Sequence, residues 1–144
     1  PSCLAPGKRP RLTPNPALAI KPGAWAMPFG SPGGDVQIQA MLQVFLNSAV
    51  FGLNPQSAVE QPRFATFSFP DSFAPHDYFP GRLTLERSLG EETGAALAAR
   101  GHDVTWWPPF NWRAGAVCTI HADMKTGVLP AGADPRRASY ALGW

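Results

Sequence analysis

Residues 30–52 read GSPGGDVQIQAMLQVFLNSAVFG, and this stretch decides the fold. Ile38, Met41, Leu42, Phe45, Leu46 and Ala49 recur at the three- and four-residue spacing of one helix face, which predicts a helix over about 36–51. Asp35 is placed to cap its start and Gly52 to close it. Just ahead, Gly33 and Gly34 carry no Cβ, so ligand and backbone can approach closely there. Their amides open a helix, where unpaired donors and the helix dipole favour an anion or a developing oxyanion. The loop is not a phosphate-binding P-loop, because no Gly-Lys-Ser/Thr follows and Asp35 would repel phosphate. On spacing alone the same residues also make an ordinary tight strand-to-helix turn.

Working outward, Ala17 to Ile20 and Ala24 to Phe29 are apolar runs around Lys21-Pro22-Gly23, the pattern of a hairpin. Asn54-Pro55 starts a second helix that must stop near Gln61, before Pro62. Arg63 to Phe69 carries apolar groups on both faces and predicts a strand between two packed layers. A Pro-bearing loop over 70–81 leads to a strand at Arg82 to Glu86, a helix at Glu91 to Arg100 and a strand at His102 to Trp106. Pro108 to Arg113 is an aromatic loop, and Ala116 to His121 pairs with Val128 to Ala131 across the turn Met124 to Gly127. Strands and helices mix without strict alternation, so the class is α+β, a single domain over 1–144 and not a doubly wound sheet.

Composition narrows the function classes. The 14 Gly and 17 Pro favour short elements, while 9 Phe and 5 Trp exclude a disordered tail. A net charge of +2, with Lys8, Arg9 and Arg11 interrupted by Pro10, is too mild for a nucleic-acid footprint. No apolar run reaches the roughly eighteen residues of a membrane span. His76, His102 and His121 stand apart without metal-ligand spacing, and no cofactor motif is present. Cys3 and Cys118 read as two free, partly buried thiols rather than a disulfide framework. No Gly-x-Ser-x-Gly elbow occurs. Trp106, Trp107, Phe110 and Trp112 fit either a stacking platform for a sugar or base, or a packed loop.

Several segments, in order, carry a family resemblance: GKRP at 7–10, FGSPGGD at 29–35, MLQVFLN at 41–47, FGLNPQSAVEQPRF at 51–64, LAARGHDV at 97–104 and GADPRR at 132–137. Together they resemble the C-terminal part of the small subunit of γ-glutamyltranspeptidases, from about Pro6 to the end. The resemblance implies part of an N-terminal-nucleophile hydrolase fold, an αββα sandwich. It implies an enzyme that cuts its own precursor to expose a Thr, whose hydroxyl attacks and whose α-amine is the base. The Thr would take a γ-glutamyl group as an ester and pass it to water or to an acceptor amino acid or peptide, without cofactor or metal. Gly33 and Gly34 would form the oxyanion hole.

In the better-known members a Ser-Ser pair shortly after KRP helps bind the glutamyl α-carboxylate; here those positions are Leu12 and Thr13. Thr13 keeps a hydroxyl and Leu12 does not, which leaves room for an amidase acting on another acyl group. The nucleophilic Thr is expected ahead of Pro1, so the partners are the large subunit and the N-terminal part of the small subunit, and the isolated chain is expected to be inert. A non-catalytic relative serving binding or assembly is the remaining reading. For Arg63 the expectation is a structural ion pair, and for Asp134-Pro135-Arg136-Arg137 a turn held by side-chain hydrogen bonds.

Overall fold

The computed structural model describes residues 3–9 and 13–143. The predicted hairpin forms from β1 (Ala17–Lys21) and β2 (Trp25–Gly30), joined by Pro22-Gly23 with Gly23 at φ 69°. A 3₁₀ turn at Gly34–Val36 leads into α1 (Gln37–Ala49), and α2 (Pro55–Glu60) follows. Next come β3 (Phe64–Thr66), β4 (Arg82–Glu86), α3 (Glu91–Ala98) and β5 (Asp103–Trp107). The chain finishes with β6 (Cys118–Ile120), β7 (Ala122–Asp123) and β8 (Ala131–Gly132).

These strands make two sheets. A five-stranded sheet runs β1-β2-β6-β8, with β7 also on β2, and its paired strands are antiparallel. A three-stranded sheet runs β3-β4-β5, with β3 antiparallel and β5 parallel to β4. The parallel pair is possible because α3 supplies the crossover between β4 and β5. Two apolar clusters hold the layers. Met27, Ala40, Met41, Val44, Ala58, Val59 and Val117 pack α1 and α2 onto the larger sheet. Val36, Ala65, Trp107 and Ala114 gather at the smaller one.

Three local expectations are corrected. The buried face of α1 is Gln37, Ala40, Met41, Val44 and Ser48, while Ile38, Leu42 and Leu46 face outward. The apolar stripe of the helix is wider than the part the sheet covers, so periodicity alone did not say which part of it meets the sheet. Asp35 does not cap α1: the intervening 3₁₀ turn puts Val36 at the cap, and Asp35 Oδ2 instead accepts from Ser72 N at 2.6 Å. The strand expected over 63–69 shortens to β3 with only one covered face, because Phe64 and Phe69 stay exposed while Ala65 is buried. Its outer edge is met by side chains of α1. Gln39 and Gln43, one turn apart, each pair with both backbone groups of one strand residue, Thr66 and Phe64 respectively.

The cysteines are free as expected, but Cys3 and Cys118 are both exposed rather than partly buried.

Candidate functional site

The Ser31–Asp35 loop leaves β2 and turns sharply into α1. Gly33 sits at φ 135° and Gly34 at φ 58°, two consecutive positive values that side chains rarely adopt. Their carbonyls accept from Val36 N and Gln37 N, which tightens the turn. Among the described residues neither the Gly33 nor the Gly34 N–H meets an acceptor. The loop is seated on residues 114–117: Ser31 Oγ donates to Pro32 O at 2.7 Å and accepts from Ala116 N at 3.0 Å. Gly115 makes this seat possible, since a Cβ there would lie 2.9 Å from Ser31 Oγ and 3.0 Å from the Ala40 Cβ.

Both glycines border a cavity of about 750 Å³, which also reaches Asp35, Trp106, Trp112, Arg113 and Arg137. On the other side of Gly34 lies a second cavity of about 480 Å³, walled by Thr13, Asp35, Gln39 and Phe69. Thr13, exposed, is thus brought to the same loop as the candidate oxyanion donors, whereas Leu12 lies outside the described residues. Unpaired backbone amides at the border of a hollow are donors of the kind that can hold negative charge on the oxygen of a carbonyl under attack.

Behind the loop stands a buried ionic quartet. Arg63 Nη2 meets Asp134 Oδ2 at 2.5 Å, Arg136 Nη2 meets Glu86 Oε2 at 2.5 Å, and Arg136 Nη1 meets Asp134 Oδ1 at 3.1 Å. The acids also take backbone donors: Arg63 N and Asn111 N on Glu86, and Val117 N and Arg136 N on Asp134. Arg63 donates to Ala114 O and Val59 O, and Arg136 to Val59 O and Gln61 O. Burial pulls the Arg63 pKa down in spite of Asp134. Burial works against Arg136 too, but the hydrogen bond to Glu86 and the charges of Asp134 and Glu86 outweigh it and raise its pKa. Both guanidiniums are charged at any physiological pH. The structural roles expected for Arg63 and for the Asp134–Arg137 turn are those observed.

Glu86 gave no signal in the sequence, since a glutamate ending a strand looks like any solvated one. Arg137 was read only as part of a turn, yet it lines the cavity and donates to Trp112 O at 3.3 and 3.2 Å. The aromatic loop divides: Trp107 packs edge-on against Phe67, Trp106 and Trp112 wall the cavity, and Phe110 is exposed beside Arg136. The three histidines stay apart in role: His76 Nδ1 lies 2.8 Å from Asp71 O, and His121 packs edge-on against Trp25.

The mixed scaffold of two sheets and flanking helices has the fold of the N-terminal-nucleophile hydrolases, as its solved structural neighbours show. The chain belongs to the gamma-glutamyltranspeptidase family, whose model matches residues 1–144. It is 32% identical over 103 residues to a glutathione hydrolase proenzyme of Escherichia coli, covering 72% of this chain and 16% of that protein. It is 34% identical over 105 residues to the acylase ACY 1 proenzyme of a Pseudomonas strain, covering 73% of this chain and 17% of that one. Among solved structures, the one titled LmbA2991T421A superposes with a TM-score of 0.81 at 42% identity, over 92% of this chain and 23% of the other. The chain therefore spans about a sixth to a quarter of these relatives.

Proposed function

We propose that this chain supplies the oxyanion hole and part of the acyl pocket of an enzyme that cleaves γ-glutamyl amides of the glutathione type. The attacking hydroxyl would come from a Thr of the same precursor, outside these residues. It adds to the amide carbonyl, its proton passes to the Thr α-amine and then to the departing amine, and a γ-glutamyl ester remains. Water or an acceptor amine then releases the acyl group. The observation that carries this reading is the pair of N–H groups of Gly33 and Gly34 beside the cavity, which meet no acceptor among the described residues. Each such donor, aimed at the developing oxyanion, is worth about 3–4 kcal/mol.

The test is the double variant Gly33→Ala/Gly34→Ala in the full processed protein, assayed by the burst of γ-glutamyl-p-nitroanilide cleavage. Alanine keeps both N–H groups but does not readily hold φ 135° and 58°, so the amides turn off the oxyanion and acylation is expected to fall at least ~100-fold while the circular dichroism spectrum is kept. Near-normal acylation would refute the role.

Leu12 in place of a hydroxyl residue, together with likeness to an acylase proenzyme, favours a second reading: an amidase of the same fold acting on another acyl group. Turnover of a glutaryl anilide without turnover of the γ-glutamyl anilide would select it.

A further inference from the structure

We infer that the loop over 67–82, pinned to the glycine turn by Asp35, makes the larger cavity an aromatic compartment that selects amides whose departing amine carries an aromatic ring. This rests on the proposed amide-cleaving role of the glycine loop and names the half of the substrate that the larger hollow takes. The two hollows meet at Gly34 and Asp35, which border both. Thr13 lies in the smaller one, so an acyl group seated there leaves the larger one to the amine. One strip of the loop divides them: Asp71 and Phe73 wall the larger hollow, Phe69 and Ser72 the smaller.

The larger hollow is bordered by the rings of Phe67, Phe73, Phe79, Trp106, Trp107 and Trp112. Phe67 and Trp107 meet edge-on, with centroids 6.2 Å apart, and pack at the smaller core cluster. Thr84 and Thr105, on the same wall, bond each other at 2.6 Å. The outer rings are not buried: Phe73, Phe79 and Trp112 are 47%, 37% and 57% exposed. Large apolar rings left open around a hollow mark a binding surface, and a flat ring set among them would cover their faces and edges together. They are held before any ligand arrives. The Arg82 guanidinium lies 3.9 Å from the Phe79 centroid, and those of Arg113 and Arg137 each lie 5.4 Å from that of Trp112.

Backbone bonds keep the loop shut. Phe67 N donates to Arg82 O at 3.1 Å at its base, Asp71 N to Asp77 O at 2.8 Å across its middle, and Gly81 N to Ser68 Oγ at 3.0 Å. One more bond ties it to the glycine turn, from Ser72 N to Asp35 Oδ2 at 2.6 Å. It sets the Phe73 ring beside Gly34, with Cε2 3.2 Å from a Cβ built there. Asp35 is thus a positioning residue that acts on the substrate through Phe73. Its charge suits the task, since an ionised acceptor holds an N–H about twice as firmly as a neutral one.

The test uses the full processed enzyme and two amides that differ only in the ring of the leaving amine: γ-glutamyl-benzylamide and γ-glutamyl-cyclohexylmethylamide. The ratio of their kcat/KM values, aromatic over saturated, is expected to be at least ~10 in the wild type, the sum of a few ring contacts. Phe73→Leu/Trp112→Leu, at two exposed positions outside both core clusters, should bring it down to about unity. Asp35→Ala should lower the ratio too, and Asp35→Asn, which keeps an acceptor oxygen for Ser72 N, should restore most of it. A wild-type ratio of about unity, or one that the ring and Asp35 variants leave unchanged, would overturn the inference. Saturation-transfer NMR with benzyl alcohol against cyclohexylmethanol needs no turnover. Binding of benzyl alcohol alone, lost in Phe73→Leu/Trp112→Leu, supports the aromatic compartment even if neither amide is cleaved and the amide-cleaving reading fails. Equal binding of the two alcohols, or binding of neither, overturns it.

Discussion

A side chain at position 34 would meet two obstacles at once: a φ of 58° and the Phe73 ring, whose Cε2 would be 3.2 Å from the new Cβ. The ring can give by a few tenths of an ångström, and an L-residue at such a φ costs about 1 kcal/mol. Gly34→Ala alone is therefore expected to fold, with thermal denaturation lowered by only a few degrees. Position 33 is harder. At φ 135° it lies in a region side chains rarely adopt, with the Gly115 Cα 3.4 Å from a Cβ. Gly33→Ala should show the larger drop in Tm of the two single variants. The reverse order, measured by scanning calorimetry, would contradict the geometry. That the two glycines opened the long helix was legible in the sequence. That their amides meet no acceptor among the described residues, and that Gly115 lets the loop sit so close, was not, because Ala116, on which Ser31 rests, is 85 residues away along the chain.

At the scale of elements, the edge of β3 is closed by Gln39 and Gln43 of α1 rather than by another strand. An unpaired strand edge is a liability, and two amide side chains can satisfy four backbone groups. Gln39→Ala/Gln43→Ala removes four hydrogen bonds, each worth about 0.5–1.5 kcal/mol net, so a loss of ~2–4 kcal/mol is expected in urea unfolding, with solvation of the partly exposed pairs favouring the lower end. A loss below ~0.5 kcal/mol would show that water replaces them. Both glutamines looked like ordinary polar positions in an amphipathic pattern, so periodicity hid their role.

The turn after β7 behaves differently. Asp123 accepts from Lys125 N at 2.8 Å and Thr126 N at 3.1 Å, and these bonds lower its pKa. A carboxylate with a depressed folded pKa stabilises the turn above its unfolded value and loses that contribution as pH falls through the folded one. Amide exchange at Lys125 and Thr126, corrected for intrinsic rates, is expected to lose protection as pH drops below the ordinary Asp range. Protection independent of pH there would remove Asp123 from the account.

Across the whole molecule, the buried quartet ties the end of α2, the end of β4, the 111–117 loop and the final turn to one another. Its two positive and two negative charges cancel, so removing one acid leaves an uncompensated buried cation. Asp134→Asn is expected to cost about 3–5 kcal/mol in equilibrium unfolding. Replacing the pair with apolar residues, Arg63→Met/Asp134→Leu, removes one charge of each sign and should recover stability relative to the single change. If the double variant is no more stable than Asp134→Asn, the backbone bonds to these side chains matter more than their charges. The network also fixes the loop on which Ser31 rests, so any surviving single variant should lose the proposed amide-cleaving activity along with stability.

The sequence by itself determined the α+β class, the order and approximate bounds of most elements, and the family, because helix periodicity, caps, turn residues and short motifs are local signals. It also placed Gly33, Gly34 and Thr13 at the candidate site. Only the tertiary structure decided which stripe of α1 is buried, why Asp35 reaches across to Ser72 instead of capping, that Arg113 and Arg137 line the cavity beside Gly33 and Gly34, and that Glu86 joins the buried quartet. Most of those outcomes depend on contacts between residues far apart in the chain, such as Asp35 with Ser72 or Glu86 with Arg136, and a charged or polar side chain gives no sign in its own neighbourhood of the partner that folding will bring to it.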